Sequence, residues 1–272
     1  MKTTNNILPL QVTGDLTIIT ITYNAERFLE RTILSILKAK QNLHELTEGF
    51  GEALKNYPIE YLVIDGGSKD GTIGIIEKYR NDITRSVSEP DGGLYDAMNK
   101  GLAMASGKYI WFLNAGDEVH DEQVLNRLFE NFKNDADVYY SDALFVNDNG
   151  SAVGLRSQVT PHSLPQNLKW QDMALGMKVC HQAFIVRRAI APKYDINNLS
   201  ADIDWEIECL KASTKTLYLD FVLCKYLTGG LSVQKHRQSL IDRFKVLHKH
   251  FGLLPTVWNH VKIFWRKAFT KL

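Results

Sequence analysis

Up to about residue 150, short apolar segments alternate with longer segments of helical spacing, and this alternation limits the fold more than any other feature. Leu16–Thr22 reads LTIITIT, the pattern of a strand that is buried on both faces. A helical run follows it, with apolar residues at Leu29, Ile33, Ile36 and Leu37. Repeated strand and helix in this order predict an α/β protein with a parallel sheet and right-handed crossovers.

The same two patterns recur along the chain, more weakly in its second half. Apolar segments bounded by polar residues are interpreted as strands, and longer amphipathic segments as helices. Asp121 is expected to cap the helix that it begins or to favour its N-terminal dipole. The expected strands are Tyr61–Ile64, Ile83–Val87, Tyr109–Leu113, Asp137–Val146 and Thr216–Phe221, and the expected helices are Thr72–Tyr79, Gly93–Ser106, Asp121–Asn131 and Ala201–Ala212.

Composition excludes several classes of protein. A formal net charge of +1 over 272 residues leaves no global electrostatic surface for nucleic acid. Cys180, Cys209 and Cys224 are widely spaced, which argues against a disulfide framework and against a thiolate zinc site. The N-terminus lacks a signal-peptide pattern, and no stretch reaches the ~20 apolar residues that span a bilayer. We therefore expect a cytoplasmic protein, with attachment to a membrane surface left open.

Three of the predicted strands end in polar clusters. These clusters are Tyr23–Asn24, Asp65–Asp70 and Asn114–Asp117. In open α/β sheets, ligands bind beyond the carboxyl ends of the strands. The clusters therefore predict one shared polar cleft at that edge of the sheet.

Two of the clusters carry residues suited to a phosphorylated ligand. In Ile64–Thr72, glycines allow close approach of the backbone, and carboxylates can accept hydrogen bonds from a base or a ribose. The alternative is a plain connection in which Asp70 caps the next helix. Asp117 supplies a carboxylate that suits Mg²⁺ or Mn²⁺, and its alternative is a cap or turn residue.

Four motifs occur in one order between about residues 16 and 212: TITYNAERFLERTILSIL, YLVIDGGSKDGT, SEPDGGLYDAMNKGLAMASGKYIWFLNAGDE and ADIDWEIE. Together they resemble glycosyltransferase family 2, which has the GT-A fold. EPDGGLYDAMNKG and FLNAGD are similar to the branch that builds bacterial capsule, exopolysaccharide and colanic-acid-type chains. The resemblance implies a Rossmann-like, mostly parallel sheet with flanking helices. It also implies inverting transfer of a sugar from a nucleotide-diphosphate donor, UDP-linked, to a glycan or lipid-linked glycan.

The resemblance also implies a division of the chain and roles for its residues. Residues 1–230 would form the GT-A domain, with a donor half at about 15–118 and an acceptor half at about 119–230. A helical extension would follow at 231–272. The uridine would be held by Thr22, Tyr23, Asn24 and Asp65, and the donor pocket would be lined by Asp91, Asn99 and Lys100.

For Lys100 the alternative to a pocket residue is an ordinary solvated charge on a helix. Gly101 is expected to permit close packing.

The chain departs from the family at two acidic positions. Gly66 stands where the family has a second Asp after the second strand. The metal-binding Asp-x-Asp appears as Asn114-Ala115-Gly116, followed by Asp117. We therefore expect Asp117 to be the metal ligand for Mg²⁺ or Mn²⁺, with Asn114 adding an amide oxygen.

The catalytic base is expected in the acceptor half. Inverting transfer needs a carboxylate that removes the proton of the acceptor hydroxyl. Alignment of ADIDWEIE with the family's acidic pair places Asp202 there, with Asp204 as the second choice and a salt-bridging helix surface as the alternative. His181, in Cys180-His181-Gln182, is similar to a family segment near the acceptor and could bind a phosphate or a sugar hydroxyl. Its alternative is a satisfied core histidine.

The C-terminal segment, residues 255–272, has one apolar, aromatic face flanked by Lys and Arg. Such a face packs on its own domain or lies in a bilayer interface, and the sequence leaves both open. A nucleotidyltransferase of the same fold would need a basic, Gly-rich triphosphate loop near the N-terminus, which is absent. A non-catalytic nucleotide-sugar-binding or glycan-binding subunit remains the alternative to an enzyme. The helical face comprises Val257, Trp258, Val261, Phe264, Trp265, Ala268, Phe269 and Leu272.

Overall fold

A computed structural model describes residues 15–48, 59–229 and 235–269. The expectations for the N-terminus and for Leu272 lie outside these residues. The strands are β1 Leu16–Thr22, β2 Ile59–Asp65, β3 Arg85–Ser88, β4 Tyr109–Phe112, β5 Glu118–Val119, β6 Val138–Tyr140, β7 Ala143–Val146, β8 Ala152–Leu155, β9 Phe184–Arg187, β10 Thr216–Tyr218 and β11 Cys224–Leu227. The helices are α1 Leu29–Glu48, α2 Thr72–Lys78, α3 Leu94–Met104, α4 Val124–Phe132, α5 Arg156–Val159, α6 Ala201–Ala212, α7 His236–Phe251 and α8 Leu253–Phe269.

A seven-stranded sheet forms the centre of the protein, in the order β10-β6-β9-β4-β1-β2-β3. β1 is buried along its whole length and pairs in parallel with β2 and with β4. β9 is antiparallel to both of its neighbours, β4 and β6. The sheet is thus mostly parallel, as expected, and β9 joins the strands of the second half to those of the first.

The predicted strand Asp137–Val146 is two strands, and the expectation of one is wrong. β6 pairs with β9 and β10 in the large sheet, whereas β7 pairs with β8 and β11 in a four-stranded sheet. Between them Ser141 donates its N–H to the Ala183 carbonyl, and the Leu223 N–H donates to Ser141 Oγ. These bonds fix the chain where it leaves one sheet for the other.

The expected cap at Asp121 is also absent. Helix α4 begins at Val124, with Gln123 at its N-cap position and no side-chain cap bond. Asp121 instead accepts the N–H of Gln123 and forms a bidentate ion pair with Arg127. It stabilises the turn before the helix and contacts the helix surface.

Close packing of α3 and of the following turn on β1 depends on two glycines. A Cβ at Gly101 would lie 2.7 Å from Ile19 Cγ2, which confirms the expectation that this glycine permits close packing. A Cβ at Gly107 would lie 2.7 Å from the backbone nitrogen of Thr17. The Gly107 N–H donates to Thr17 Oγ1 at 2.9 Å. The turn from α3 to β4 is therefore held directly against the first residues of β1.

The C-terminal helices pack on the second half of the domain. In α7, Asp242 accepts the N–H of Leu199, and the Ser239 carbonyl accepts the Ser200 hydroxyl. In α8, Asn259 donates to the Ala174 carbonyl at 3.1 Å. Within the described residues, no helix is both long enough and apolar enough to cross a bilayer.

We expect Gly107→Ala to lower the free energy of unfolding by about 1–3 kcal/mol, because the new methyl group meets backbone atoms that have no room to move. Gly74→Ala is the matched control, since Gly74 lies exposed in α2 with no atom within 4 Å of its Cβ position. That control should gain about 0.5–1 kcal/mol from helix propensity. Chemical denaturation of both variants measures the difference, and equal effects would contradict the packing account.

Candidate active site

The loops that follow β1 and β2 are joined by hydrogen bonds at the carboxyl edge of the sheet. The Asn24 N–H donates to Ser68 Oγ at 2.7 Å, and Asn24 Oδ1 accepts the N–H of Lys69 at 2.9 Å. Asn24 has φ = 46°, a left-handed conformation that Asn tolerates better than most residues. The Ala25 N–H donates to Thr72 Oγ1. The first two predicted polar clusters therefore form one surface.

Asp65, at the end of β2, holds the loop that follows it by hydrogen bonds. Its carboxylate accepts hydrogen bonds from the N–H groups of Gly67 and Ser68 and from the hydroxyls of Ser68 and Ser88. Only 1% of Asp65 is exposed. In the structure it therefore holds the loop that follows β2 in place.

Thr22 and Tyr23, at the end of β1, differ sharply in exposure. Thr22 is buried, and among the described residues its hydroxyl has no hydrogen-bond partner. Its carbonyl accepts the Gly66 N–H at 3.0 Å. The Tyr23 side chain is 62% exposed. An exposed ring beside a polar loop provides a face on which a planar base can stack.

The glycine that departs from the family's acidic turn has a structural explanation. A Cβ at Gly66 would lie 2.5 Å from Oδ2 of Asp91, so a larger residue would collide with that carboxylate. Asp91 Oδ1 accepts the N–H of Gly93 at 2.8 Å. The Asp91 carboxylate thus lies where a side chain at position 66 would begin. An acidic group is kept at this point, on a different loop.

The side chains of Asn99 and Lys100 both bind loops that lie beside α3. Asn99 uses both ends of its amide on the backbone of Tyr194, at 3.0 and 2.8 Å. Lys100 binds the Pro90 carbonyl at 3.1 Å and Glu89 at 2.9 Å. Both side chains hold loops against α3.

Asn114–Asp117 forms a tight turn that is held from two sides. The Asp117 N–H donates to the Asn114 carbonyl at 2.9 Å, and Gly116 has φ = 107°. The Ala115 N–H donates to the Ile21 carbonyl of β1. The Gly116 N–H donates to Thr32 Oγ1 of α1 at 2.8 Å. The turn is therefore rigid before any ligand arrives.

The side chains of this turn fit a hard divalent cation. Asn114 Oδ1 is buried and has no hydrogen-bond partner among the described residues. Asp117 Oδ1 accepts the Leu227 N–H at 2.9 Å, and burial raises the pKa of Asp117 to about 7. A nearby cation would favour the ionised carboxylate, because opposite charge offsets the cost of burial. Amide and carboxylate oxygens are ligands that Mg²⁺ and Mn²⁺ accept.

A cavity of about 480 Å³ is lined by residues from both the first and the second half of the chain. Asn114 and Asp117 line it from the first half, and His181 and Asp202 from the second. Leu94 and Tyr95, which directly follow the Asp91 loop, line it as well. Eight of the residues singled out in the sequence are not among its lining residues. They are Thr22, Tyr23, Asn24, Asp65, Asp91, Asn99, Lys100 and Asp204.

Asp202 and Asp204 point to different surroundings. Asp202 faces the cavity, where burial raises its pKa. The neighbouring Tyr95 hydroxyl donates to the Leu199 carbonyl at 3.3 Å. Asp204 binds Lys249 at 2.8 and 2.9 Å and His250 at 2.5 Å, both on α7. Asp204 therefore attaches α6 to α7 through ion pairs, which is the arrangement that the salt-bridge interpretation expects.

The group formed by Asp204, Glu208 and His250 also has the residue types of a metal site. The ammonium of Lys249 lies 2.8 Å from Asp204 and 3.5 Å from Glu208. The positive charge of Lys249 therefore already lies beside both carboxylates. These residues act as an ion-pair cluster between α6 and α7.

His181 is part of the cavity wall and of the aromatic core behind it. Its Nε2 lies 3.0 Å from the Tyr194 hydroxyl, and its ring packs against Phe112 and Trp205. Burial lowers the pKa of His181 to about 4, so the imidazole is neutral at pH 7. The functional and the core interpretations of this residue are therefore compatible.

Three cavity or cluster residues were missed in the sequence. Tyr95 lines the cavity together with Asp202, and Arg156 donates to the carbonyls of Met177 and Lys178, just before His181. Glu206 is fully buried, 3.6 Å from His181 Nδ1. Its position four residues after Asp202 was a usable signal, because helix periodicity puts both on one face. Arg156 had no comparable signal.

Solved structures share the architecture. TarS residues 1–349 of Staphylococcus aureus, in complex with UDP, superposes with a TM-score of 0.62 and 17% identity, covering 86% of this chain and 64% of that one. The mannosyltransferase PcManGT of Pyrobaculum calidifontis, in complex with GDP-Man and Mn²⁺, gives a TM-score of 0.59 and 15% identity over 93% of this chain and 75% of that one. The fold expected from the sequence, a GT-A Rossmann-like α/β fold, is confirmed.

Sequence comparison gives the family. An uncharacterized glycosyltransferase of Mycobacterium tuberculosis is 26% identical over 94% of this chain and 96% of its own length. The PGL/p-HBAD biosynthesis glycosyltransferase of Mycobacterium bovis is 28% identical over 64% of this chain and 67% of its own. Residues 17–194 match the sequence profile of glycosyl transferase family 2. The chain belongs to glycosyl transferase family 2.

Proposed function

We propose that this protein is an inverting glycosyltransferase that moves a sugar from a UDP-linked donor to a hydroxyl of a glycan or lipid-linked glycan in bacterial surface polysaccharide synthesis. One observation carries the proposal: Asp202 lines the same cavity as Asn114 and Asp117. A base for the acceptor and oxygen ligands for a donor's metal are thus brought together from opposite halves of the chain. The relatives' roles in PGL/p-HBAD biosynthesis and in poly(ribitol-phosphate) glycosylation support a surface-glycan product.

The donor nucleotide would lie at the carboxyl edge of β1 and β2. The exposed ring of Tyr23 offers a stacking surface for uracil, and the loop held by Asp65 offers backbone groups. Asp91 lies against Gly66 and can accept hydrogen bonds from the base or ribose. Asn24 anchors this loop. A UDP donor is supported by the TarS complexes with UDP and UDP-GlcNAc.

The diphosphate would lie over the Asn114–Asp117 turn, which would hold Mg²⁺ or Mn²⁺ through the two side-chain oxygens described above. A bound divalent cation would neutralise charge that develops on the leaving diphosphate. Support comes from the unpartnered oxygen of Asn114 and from the Mn²⁺ in the PcManGT complex.

Asp202 would act as the general base. In an in-line displacement the acceptor oxygen attacks the anomeric carbon, its proton passes to the carboxylate, and the bond to the diphosphate oxygen breaks. The carboxylate must be ionised to take that proton. Since burial raises the pKa of Asp202, transfer should fall on acidification at a pH above the ordinary Asp range.

We predict that Asp202→Asn lowers turnover by about 10²-fold or more, because the base is lost, while donor affinity changes by less than roughly twofold. Asp204→Asn is the matched control on the same helix. It should keep turnover and lose about 1 kcal/mol of stability, because its ion pair with Lys249 and His250 is weakened. Release of UDP from a donor panel with a cellular lipid extract measures turnover. Full turnover by Asp202→Asn would rule out this base.

We predict that Asp117→Asn reduces the increase in melting temperature that Mn²⁺ adds to donor binding, because the anionic ligand is lost while the bond to the Leu227 N–H can be kept. Glu118→Gln is the control, since Glu118 is the adjacent carboxylate and is paired with Lys225. Thermal shift with donor, with and without Mn²⁺, measures the effect. An unchanged metal response in Asp117→Asn would place the metal elsewhere.

The acceptor's lipid would explain the surface of α8. Leu254, Val257, Trp258 and Val261 are all exposed on this helix, and Lys262 lies over the Trp258 ring at 5.6 Å. Apolar side chains beside basic ones are typical of helices that lie in a bilayer interface. The Phe264–Phe269 part of the expected face belongs to the helix, but its side chains lie outside the described set. We propose that α8 contacts the cytoplasmic face of the inner membrane.

We predict that Trp258→Glu weakens binding to vesicles of anionic phospholipid about tenfold, because one large side chain no longer enters the interface. Val153→Glu is the control: Val153 is 53% exposed, against 61% for Trp258, but lies on β8. Co-sedimentation measures both. Equal binding by the two variants would argue against α8 as the contact.

A further inference from the structure

Glu206 is a buried acid that the proposed mechanism does not use. It lies on α6 four residues after Asp202, so the two carboxyl groups share one helix face. Its exposed fraction is 0%, and within the described part of the chain neither carboxyl oxygen has a hydrogen-bond partner. An unpaired buried polar group costs stability, so a leucine would serve the core better at this position.

His181, which lies on another element, faces Glu206. Its Nδ1 lies 3.6 Å from Glu206 Oε1 and has no hydrogen-bond partner of its own in the described region. On the other side of the ring, Nε2 meets the Tyr194 hydroxyl at 3.0 Å. Phe112 and Trp205 pack around the imidazole with centroid distances of 5.6 and 5.2 Å. The ring is thus confined, with Nδ1 directed at Glu206.

The surroundings of Glu206 favour its protonated form. Burial is the main cause that raises the pKa of Glu206 well above the ordinary value. The negative charge of Asp202 raises this pKa further, and the positive charge of Arg156 lowers it. His181 is itself neutral at pH 7. A protonated carboxyl can donate to an unprotonated Nδ1, and the 3.6 Å gap closes with a sub-ångström shift to the ~3 Å of a hydrogen bond. The other titratable groups that face Glu206 are Cys180, Tyr194 and Cys209.

We propose that Glu206 is a positioning residue for sugar transfer: its carboxylic acid hydrogen-bonds Nδ1 of His181 and fixes the imidazole in the cavity wall that it shares with Asp202. The proton then resides on Nε2 of His181, next to the Tyr194 hydroxyl. His181 would then present a neutral imidazole of fixed orientation to the substrate. Of Asp202, Glu206 and His181, Asp202 would be the residue that carries the negative charge. The catalytic consequence rests on the proposed function, whereas the contact between Glu206 and His181 does not.

The test compares Glu206→Gln with Glu206→Met in the full-length protein. Gln keeps an N–H donor for Nδ1, and Met has a similar length without one. We expect Glu206→Met to lower kcat about tenfold or more with an unchanged KM for the donor, and Glu206→Gln to stay within about threefold of the parent. A role in packing alone would move stability and leave the parent and both variants with equal kcat.

Nitrogen NMR of ¹⁵N-histidine-labelled protein provides a readout that needs no transfer activity. The His181 signals are assigned by their loss in His181→Gln. We expect the parent and Glu206→Gln to hold His181 in the Nε2–H tautomer, and Glu206→Met to change that tautomer or mix the two. A parent protein in the Nδ1–H tautomer would overturn the proposal even if Glu206→Met does not fold. A tautomer change in Glu206→Met without transfer by the parent from any donor would support the contact and count against the proposed function.

Discussion

Seven consecutive buried residues, Leu16–Thr22, pair in parallel with β2 on one side and with β4 on the other, and the site depends on this pairing. Parallel pairing places the carboxyl ends of all three strands at one edge of the sheet. The pairing continues beyond β4, where the Leu113 and Ala115 N–H groups bond to Ile19 and Ile21. The turn that carries Asp117 is therefore attached to the same strand as Tyr23 and Asn24.

The part of the cavity formed by His181 and Asp202 depends on a second arrangement. β9 runs antiparallel between β4 and β6, and His181 lies in the short helical turn that leads into it. Helix α6 then brings Asp202 to the same cavity. Helix α7 holds α6 through the ion pair of Lys249 with Asp204, and it holds the residues before α6 through the bond of Asp242 to the Leu199 N–H. The C-terminal helices thus support the helix that carries the proposed base. The boundary expected near residue 230 remains a prediction.

The buried acids in and behind the cavity cost stability. Asp117 and Glu206 are buried, Asp202 lines the cavity, and burial raises the pKa of all three above the ordinary value. A group whose pKa is raised on folding opposes folding at a pH above its unfolded value, because ionisation is then easier in the unfolded chain. Asp204 behaves in the opposite way: its pKa is lowered in spite of partial burial, through hydrogen bonds from His250 and Lys249. This contrast separates the acid proposed for chemistry from the acid that stabilises the fold.

The sequence by itself determined the fold class, the family and most elements. Strand β1 and helix α6 have the bounds expected from local pattern. β1 is an unbroken run of apolar and β-branched residues, and α6 lies between Ser200 and Ser213. Local pattern failed at Asp137–Val146, where one apolar run is divided between two sheets by bonds to distant Ala183 and Leu223. Strand propensity does not encode which sheet a residue joins.

Tertiary structure alone decided which polar residues face the cavity. Asp202 and Asp204 are two residues apart on one helix and differ by about 200° of rotation, so only packing against α7 shows which faces inward. The family resemblance predicts Asn99 and Lys100 as pocket residues. In the structure each side chain binds a loop whose path the sequence does not reveal. In the sequence Gly66 indicates the loss of an acidic residue, whereas the structure places the Asp91 carboxylate beside it. Residue types follow from local sequence, whereas their partners follow from contacts between residues far apart in the chain.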